Sequence, residues 1–199
     1  MLFTAIRERS KATVQDRSAL FEQLIRDTQK QAYSLACRLT GNASEAEDLV
    51  QESYVRAFRF FHRYDDSLPF SSWLYRIMTN AHIDMVRRRG RLKTTSLESA
   101  GAEGGATWDV PDLESSPDRV LLENAMAEPV QKALMSMTAE FRTAVLLADV
   151  EGLAYEEVAE IMRTSVGTVR SRIHRGRKQL RTHLVKHSPQ SYGSFCDDL

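Results

Sequence analysis

An all-α fold is predicted, with two small helical domains joined by a flexible acidic linker. Three observations carry the prediction. Apolar residues recur at three- and four-residue steps in several segments, the period of a helix with one buried face. These segments form two groups, separated by residues 93–117, which lack periodicity and hold "AGAEGGA", Pro111, Pro117 and paired serines. Charge also changes sign along the chain. "RRRGRLK" (Arg87 to Lys93) is basic, Glu98 to Glu128 carries eight acids and the single base Arg119, and Arg163 to Lys186 carries bases only. The formal net charge of +0 therefore hides a basic, acidic, basic order.

Residues 1–17 are polar and mixed in charge, and read as a loosely ordered arm. The first domain spans 18–92. Its first helix runs from Ser18 to Leu39 on the stripe Leu20, Phe21, Leu24, Ile25, Ala32, Leu35, Ala36 and Leu39, and Gly41 supplies the stop. Ser44 with Glu47 three residues on reads as a capping box for a second helix ending near His62. Its inner stripe is Ala46, Leu49, Val50, Ser53, Ala57, Phe60 and Phe61, and its acids gather at the N-terminus, where the helix dipole favours them. "YDDSLP" breaks the pattern, and Ser71 or Ser72 caps a third helix carrying Trp73, Leu74, Ile77, Met78, Ala81, Met85 and Val86.

Beyond the linker, Asp118 or Ser116 restarts helix and opens the second domain, 118–187. Val120, Leu121, Met126, Val130, Leu134 and Met137 are candidates for its inner face. "AEFRTAVLLADVEG" gives a helix stopping at Gly152, and "AYEEVAEIM" and "SVGTVRSRIHRGRKQLRTHL" give the last two. Residues 188–199 read as a disordered tail.

The last two helices form a helix-turn-helix. Ala159 provides the small side chain for close approach, while Val158, Ile161, Val169 and Ile173 turn inward. Thr168, Arg170, Ser171, Arg172, His174, Arg175, Arg177 and Lys178 are then left to face outward or sideways. Such a helix suits the major groove, where arginine reads guanine through paired hydrogen bonds and later cations hold phosphates. A merely solvated face would normally mix in acids, and this one has none over several turns.

Other classes of function find less support. Neither a glycine-rich phosphate loop nor a nucleophile constellation is present, so an enzyme is not expected, and no cofactor or metal is expected either. The two cysteines, Cys37 and Cys196, do not make a disulfide framework and suit a reducing cytoplasm. No apolar run reaches bilayer length, so no membrane insertion is expected. A stand-alone DNA-binding regulator leaves "SEAEDLVQESYVRAF" and "SSWLYRIMTN" unexplained, and a purely protein-binding helical module leaves the basic helix unexplained.

"AEFRTAVLLADVEGLAYEEVAEIMRTSVGTVRSRIHRGRKQLR" strongly resembles the fourth region of bacterial extracytoplasmic-function (ECF) sigma factors. "SEAEDLVQESYVRAFRFFHRYDDSLPFSSWLYRIMTNAHIDMVRRR" resembles their second region. The resemblance runs from about Ser18 to Lys186. It implies an alternative sigma factor of the stress-response kind that directs core RNA polymerase to promoters without chemistry of its own. It also implies contacts with the β′ clamp helices and β flap of that polymerase, with promoter DNA, and with an anti-sigma factor. In region two the resemblance assigns Glu47, Asp48, Gln51 and Glu52 to the polymerase. It assigns Tyr64, Asp65, Ser67, Phe70, Trp73, Arg76 and Asn80 to binding and melting the −10 element. Trp73 also fits a core position, and Phe70 fits the core better than DNA. In region four it assigns Thr168, Arg170, Ser171, Arg172, His174, Arg175, Arg177 and Lys178 to the −35 element. Two departures stand out: Arg163 lies in the inter-helix turn where many relatives have glycine, and the tail with Cys196 lies outside the shared pattern.

Overall fold

Without a glycine or proline between Leu2 and Thr40, nothing in that stretch breaks a helix once it has formed. The computed structural model describes residues 2–95 and 126–192, with side chains over 17–89 and 126–192. Helix α1 spans Leu2–Thr40. The arm expected to be loose over residues 1–17 is therefore helical from Leu2. Adding residues to an existing helix avoids the cost of nucleating one, so the packed part from Phe21 onward can template the rest.

Gly41, at φ 70°, turns the chain out of α1, and α2 follows over Ala43–Phe60. Its N-cap is Asn42, whose side chain accepts the Glu45 N–H. The expected Ser44–Glu47 box is displaced, because Asn42 occupies the extended position from which a side chain can reach back to the helix. Ala46, Leu49, Ser53, Tyr54 and Ala57 are buried, while Phe60, expected inside, is 39% exposed. A single 3-10 turn, Phe61–Arg63, buries Phe61. Helix α3 spans Phe70–Thr95 and starts before Ser71 and Ser72, with the Pro69 carbonyl accepting the N–H groups of Ser72 and Trp73. Leu74, Met78 and Thr79 are among its fully buried side chains.

The linker, the restart at Ser116 or Asp118, and Val120 and Leu121 lie outside the described residues. The C-terminal unit continues with α4 (Glu128–Met135) and α5 (Ala139–Val145), the latter running into a π-turn over Leu146–Val150. Then come α6 (Tyr155–Met162), α7 (Val166–His187) and one closing turn, α8 (Pro189–Tyr192). Residues 193–199 of the expected tail also lie outside the described residues.

The two units are not apart. Their buried apolar side chains join into one cluster, running from Leu35, Leu39 and Leu49 to Leu146, Leu147 and Ile173. α6 packs against α3, and α4 and α5 pack against α1. The two helical domains thus share one buried apolar cluster in this conformation. Arg142, only 6% exposed, explains part of the junction. Its guanidinium donates to the carbonyls of Leu134, at 2.9 Å, and Met137, at 3.1 Å, in its own unit, and to Leu39 at the end of α1. A buried cation is thereby met by carbonyls at two helix C-termini, where the helix dipole favours positive charge.

Candidate nucleic-acid interface

Helix α7 is aimed by the turn before it. The Schellman pattern closing α6 has Arg163 N–H bonded to the Glu160 carbonyl at 3.2 Å and Thr164 N–H bonded to the Ala159 carbonyl at 3.0 Å. That pattern needs a left-handed residue, and Arg163 supplies it at φ 50°, ψ 52°. Arginine here adopts the backbone conformation that glycine takes without penalty. Ser165 then caps α7, its Oγ accepting the Thr168 N–H at 3.1 Å. The inward residues are as expected: Val158 and Val169 are 0% exposed, and Ile161, Ile173 and Ala159 are buried.

One feature of α7 escaped the sequence reading. Gly176 is buried against α5, where a Cβ would lie 2.6 Å from Val145 Cγ2. The helix therefore lies unusually close to its support. The only available signal was a glycine in mid-helix, which costs stability unless a close approach needs it.

Inward packing fixes the outward face. Arg170, Ser171, His174, Arg175 and Lys178 are exposed, and Thr168 and Arg172 are half-buried. The hydroxyls of Thr168 and Ser165 lie 2.9 Å apart, and Ser171 donates to the Thr168 carbonyl. Arg177 differs from its neighbours, since both its Nε and Nη2 engage the Asp149 carboxylate of the π-turn. That contact raises its pKa. Five of the eight predicted residues thus share an open face that carries three bases and a histidine, Thr168 and Arg172 flank it half-buried, and Arg177 is held by an acid.

The N-terminal unit presents a second candidate surface, built of rings. Phe61, Tyr64, Phe70 and Trp73 form a cluster. Phe61 and Tyr64 stack at 5.7 Å, and Tyr64 meets Trp73 at 5.3 Å and Phe70 at 5.4 Å. Phe70 is 4% exposed. It lies in the core, the position its sequence context fits better, and packs against Tyr64 and Trp73, which are half-buried at the surface. The Tyr64 hydroxyl donates to the Leu68 carbonyl at 2.8 Å, closing the loop, and Asp65 accepts the Ser67 N–H at 3.0 Å. Burial, then Asp66 and Asp65, raise the Tyr64 pKa. The bond to Ser67 lowers that of Asp65.

Asn80 is half-buried on α3. Arg76 is not with the rings. It lines the cleft between α3 and the helix-turn-helix beside Glu156, Glu160 and Arg163. Its buried Nε has no hydrogen-bond partner among the described residues. The predicted polymerase residues lie together on α2: Asp48, Gln51 and Glu52 are exposed, and Glu47 is half-buried. Glu52 bonds Arg56 at 2.6 Å. Among the described residues no three His, Cys, Asp or Glu side chains form a metal-binding group, and no helix is long and apolar enough to cross a membrane.

Comparison with known proteins covers both surfaces. The family profile for sigma-70 region 2 matches residues 24–92, and that for sigma-70 region 4 matches residues 127–180. The ECF RNA polymerase sigma factor SigE of Mycolicibacterium smegmatis is 42% identical over 179 residues, which span 88% of this chain and 66% of that protein. ECF sigma factor SigW of Bacillus subtilis is 33% identical over 184 residues, covering 90% of this chain and 96% of SigW. Among solved structures, the sigma factor RpoE of Bartonella quintana, in complex with the anti-sigma factor NepR, superposes with a TM-score of 0.63 at 24% identity, covering 84% and 98% of the two chains. CnrH, in complex with the cytosolic domain of CnrY, gives a TM-score of 0.57 at 25% identity, covering 86% and 91%.

Proposed function

The chain belongs to the sigma-70 family, among its ECF sigma factors, and from that premise we propose that it is an alternative sigma factor that brings core RNA polymerase to selected promoters. The observation that carries the reading is the open basic face of α7. Thr168, Arg170, Ser171, Arg172, His174 and Arg175 read the −35 element in the major groove, and Lys178 holds phosphate. Tyr64, Trp73 and Asn80, at the surface of the ring cluster, receive unpaired bases of the −10 element, because aromatic rings hold such bases by stacking. Glu47, Asp48, Gln51 and Glu52 form the acidic face of α2 that meets the polymerase. The protein performs no chemistry of its own and works where the polymerase is, in the cytoplasm.

Control by an anti-sigma factor belongs to the same reading. CnrH is in complex with the cytosolic domain of CnrY, and an anti-sigma partner of this chain would cover surface on both of its units.

In vitro transcription with core polymerase tests the proposal. Transcripts should require this protein and a template with matched −35 and −10 elements. Asp48→Arg should weaken binding to core while leaving the isolated fold intact. Transcription that is indifferent to the protein would refute the reading, and unchanged core affinity in Asp48→Arg would remove the assignment of α2.

A further inference from the structure

Arg17 is the last residue of the stretch that the sequence reads as a loose arm, and it lies outside residues 24–92, which match the region 2 profile. In the fold it is part of α1, one turn before Phe21. Phe21 is 5% exposed, and its ring packs edge-on against Phe61 at 4.9 Å. That contact anchors this part of α1 beside the ring cluster, and the four-residue step puts Arg17 on the same side of the helix.

Arg17 then reaches Phe61 twice. Its Nη2 donates to the Phe61 carbonyl at 3.0 Å, and its guanidinium carbon lies 5.6 Å from the centre of the Phe61 ring. The same carbonyl accepts the Tyr64 N–H at 3.1 Å, so two donors share one acceptor and together fix the 3-10 turn from which Tyr64 leaves. The Phe61 ring, in turn, stacks on Tyr64 at an interplanar angle of 14° and meets Trp73 at 6.4 Å. A single side chain therefore separates Arg17 from the two rings at the surface. Arg17 is exposed, whereas Phe61 is buried. Water can replace the guanidinium at small cost to the fold, but it does not hold the ring in place. Stacking on an unpaired base needs rings held at a set angle, and that geometry is what the contact contributes.

We propose that Arg17 is a positioning residue for −10 recognition: it clamps the carbonyl and ring of Phe61, and through Phe61 sets the orientation of Tyr64 and Trp73 toward an unpaired base. The proposal rests on reading Tyr64 and Trp73 as part of the −10 site.

The test uses the full chain bound to core polymerase on a duplex template with matched −35 and −10 elements, as wild type, Arg17→Ala and Arg17→Lys. Permanganate reactivity of thymines reports the opened −10 element. All three chains also carry Trp108→Phe, which leaves Trp73 as the single tryptophan, so emission of the free chain reports on the ring cluster. Arg17→Ala should shift Trp73 emission to the red and lower the equilibrium constant for opening about fivefold, as expected for losing a charged hydrogen bond and a cation–π contact. Affinity for an isolated −35 duplex and the thermal midpoint should stay near wild type. Arg17→Lys, which keeps a cation and a donor, should recover most of both signals, and a lysine as damaging as alanine overturns the clamp. Unchanged emission with unchanged opening overturns the proposal. Lost opening with unchanged emission makes Arg17 a direct phosphate contact instead, marked by a salt slope shallower by about one unit. Changed emission with unchanged opening overturns the link to the −10 element. Should Arg17→Ala fail to fold, Arg17→Gln decides on the same two signals: intermediate values support the proposal, and wild-type values overturn it. A wild type that opens no template would sink the −10 reading itself, whereas an emission that depends on Arg17 stands apart from it.

Discussion

Arg177 of α7 and Asp149 of the π-turn are joined by two parallel hydrogen bonds, Nε to Oδ2 at 3.0 Å and Nη2 to Oδ1 at 2.5 Å. The pair braces α7 against its support and neutralises one cation of the face proposed to meet DNA. Asp149→Asn should release that charge to the phosphates. The slope of log affinity against log salt for duplex DNA should steepen by about one unit. Stability should change little, because the arginine side chain is 55% exposed and water already screens it. Salt titration of DNA binding measures the first effect, and thermal unfolding the second.

Arg175 and Lys178 should separate sequence reading from simple attraction. Both are exposed on α7, but Arg175 lies a turn nearer the N-terminal end, the one proposed to enter the groove. Arg175→Ala should cost about 1–3 kcal/mol on a matched −35 duplex and much less on a scrambled one. Lys178→Ala should weaken both duplexes alike and make the salt slope shallower by about one unit. Competition binding with the two duplexes discriminates these outcomes.

Arg163 is the one described non-glycine residue with positive φ. A side chain there costs roughly 1–2 kcal/mol against the following carbonyl. Arg163→Gly removes that clash but adds freedom to the unfolded chain. The net expectation is a gain of about 0.5–1 kcal/mol in denaturant unfolding. Arg163→Val, β-branched, should lose stability instead.

Much of this was legible in the sequence, because the signals were local. Val158, Val169 and Ile173 announce the buried side of the helix-turn-helix by spacing alone, whereas Arg163 stands out only against the glycine of many relatives, and its left-handed backbone is seen in the structure. Near misses came from competing local chemistry: Asn42 and Ser44 are both good caps, and only backbone geometry chooses between them. The seam was not legible. Glu151 is 76 residues from Tyr75 and 113 from Arg38, and no periodicity links residues so distant. Arg76 illustrates the consequence. Its type suits a strand contact, yet its surroundings are set by the neighbouring unit.

His82 shows what the seam does to a titratable group. It is 2% exposed on α3, and neither ring nitrogen has a hydrogen-bond partner among the described residues. Burial, then the guanidinium of Arg142, pushes its pKa down to about 4. Arg89 acts in the same direction, and Glu45 and Glu140 oppose it. The folded ring therefore stays neutral where a histidine of the unfolded chain, titrating near ~6.5, takes up a proton. Between about pH 6.5 and 4 the unfolded state binds more protons than the folded one, so stability falls as pH falls and levels off below that window. The depth expected from the pKa difference is about 3 kcal/mol. His82→Leu fills similar space and cannot titrate, so it should flatten this limb and leave stability between pH 7 and 8 nearly unchanged. Denaturant midpoints across pH measure both. A variant that loses stability over the same window as steeply as wild type would shift the acid sensitivity to the carboxylates, with Glu45, paired to Arg89 at 2.5 Å, the first to replace.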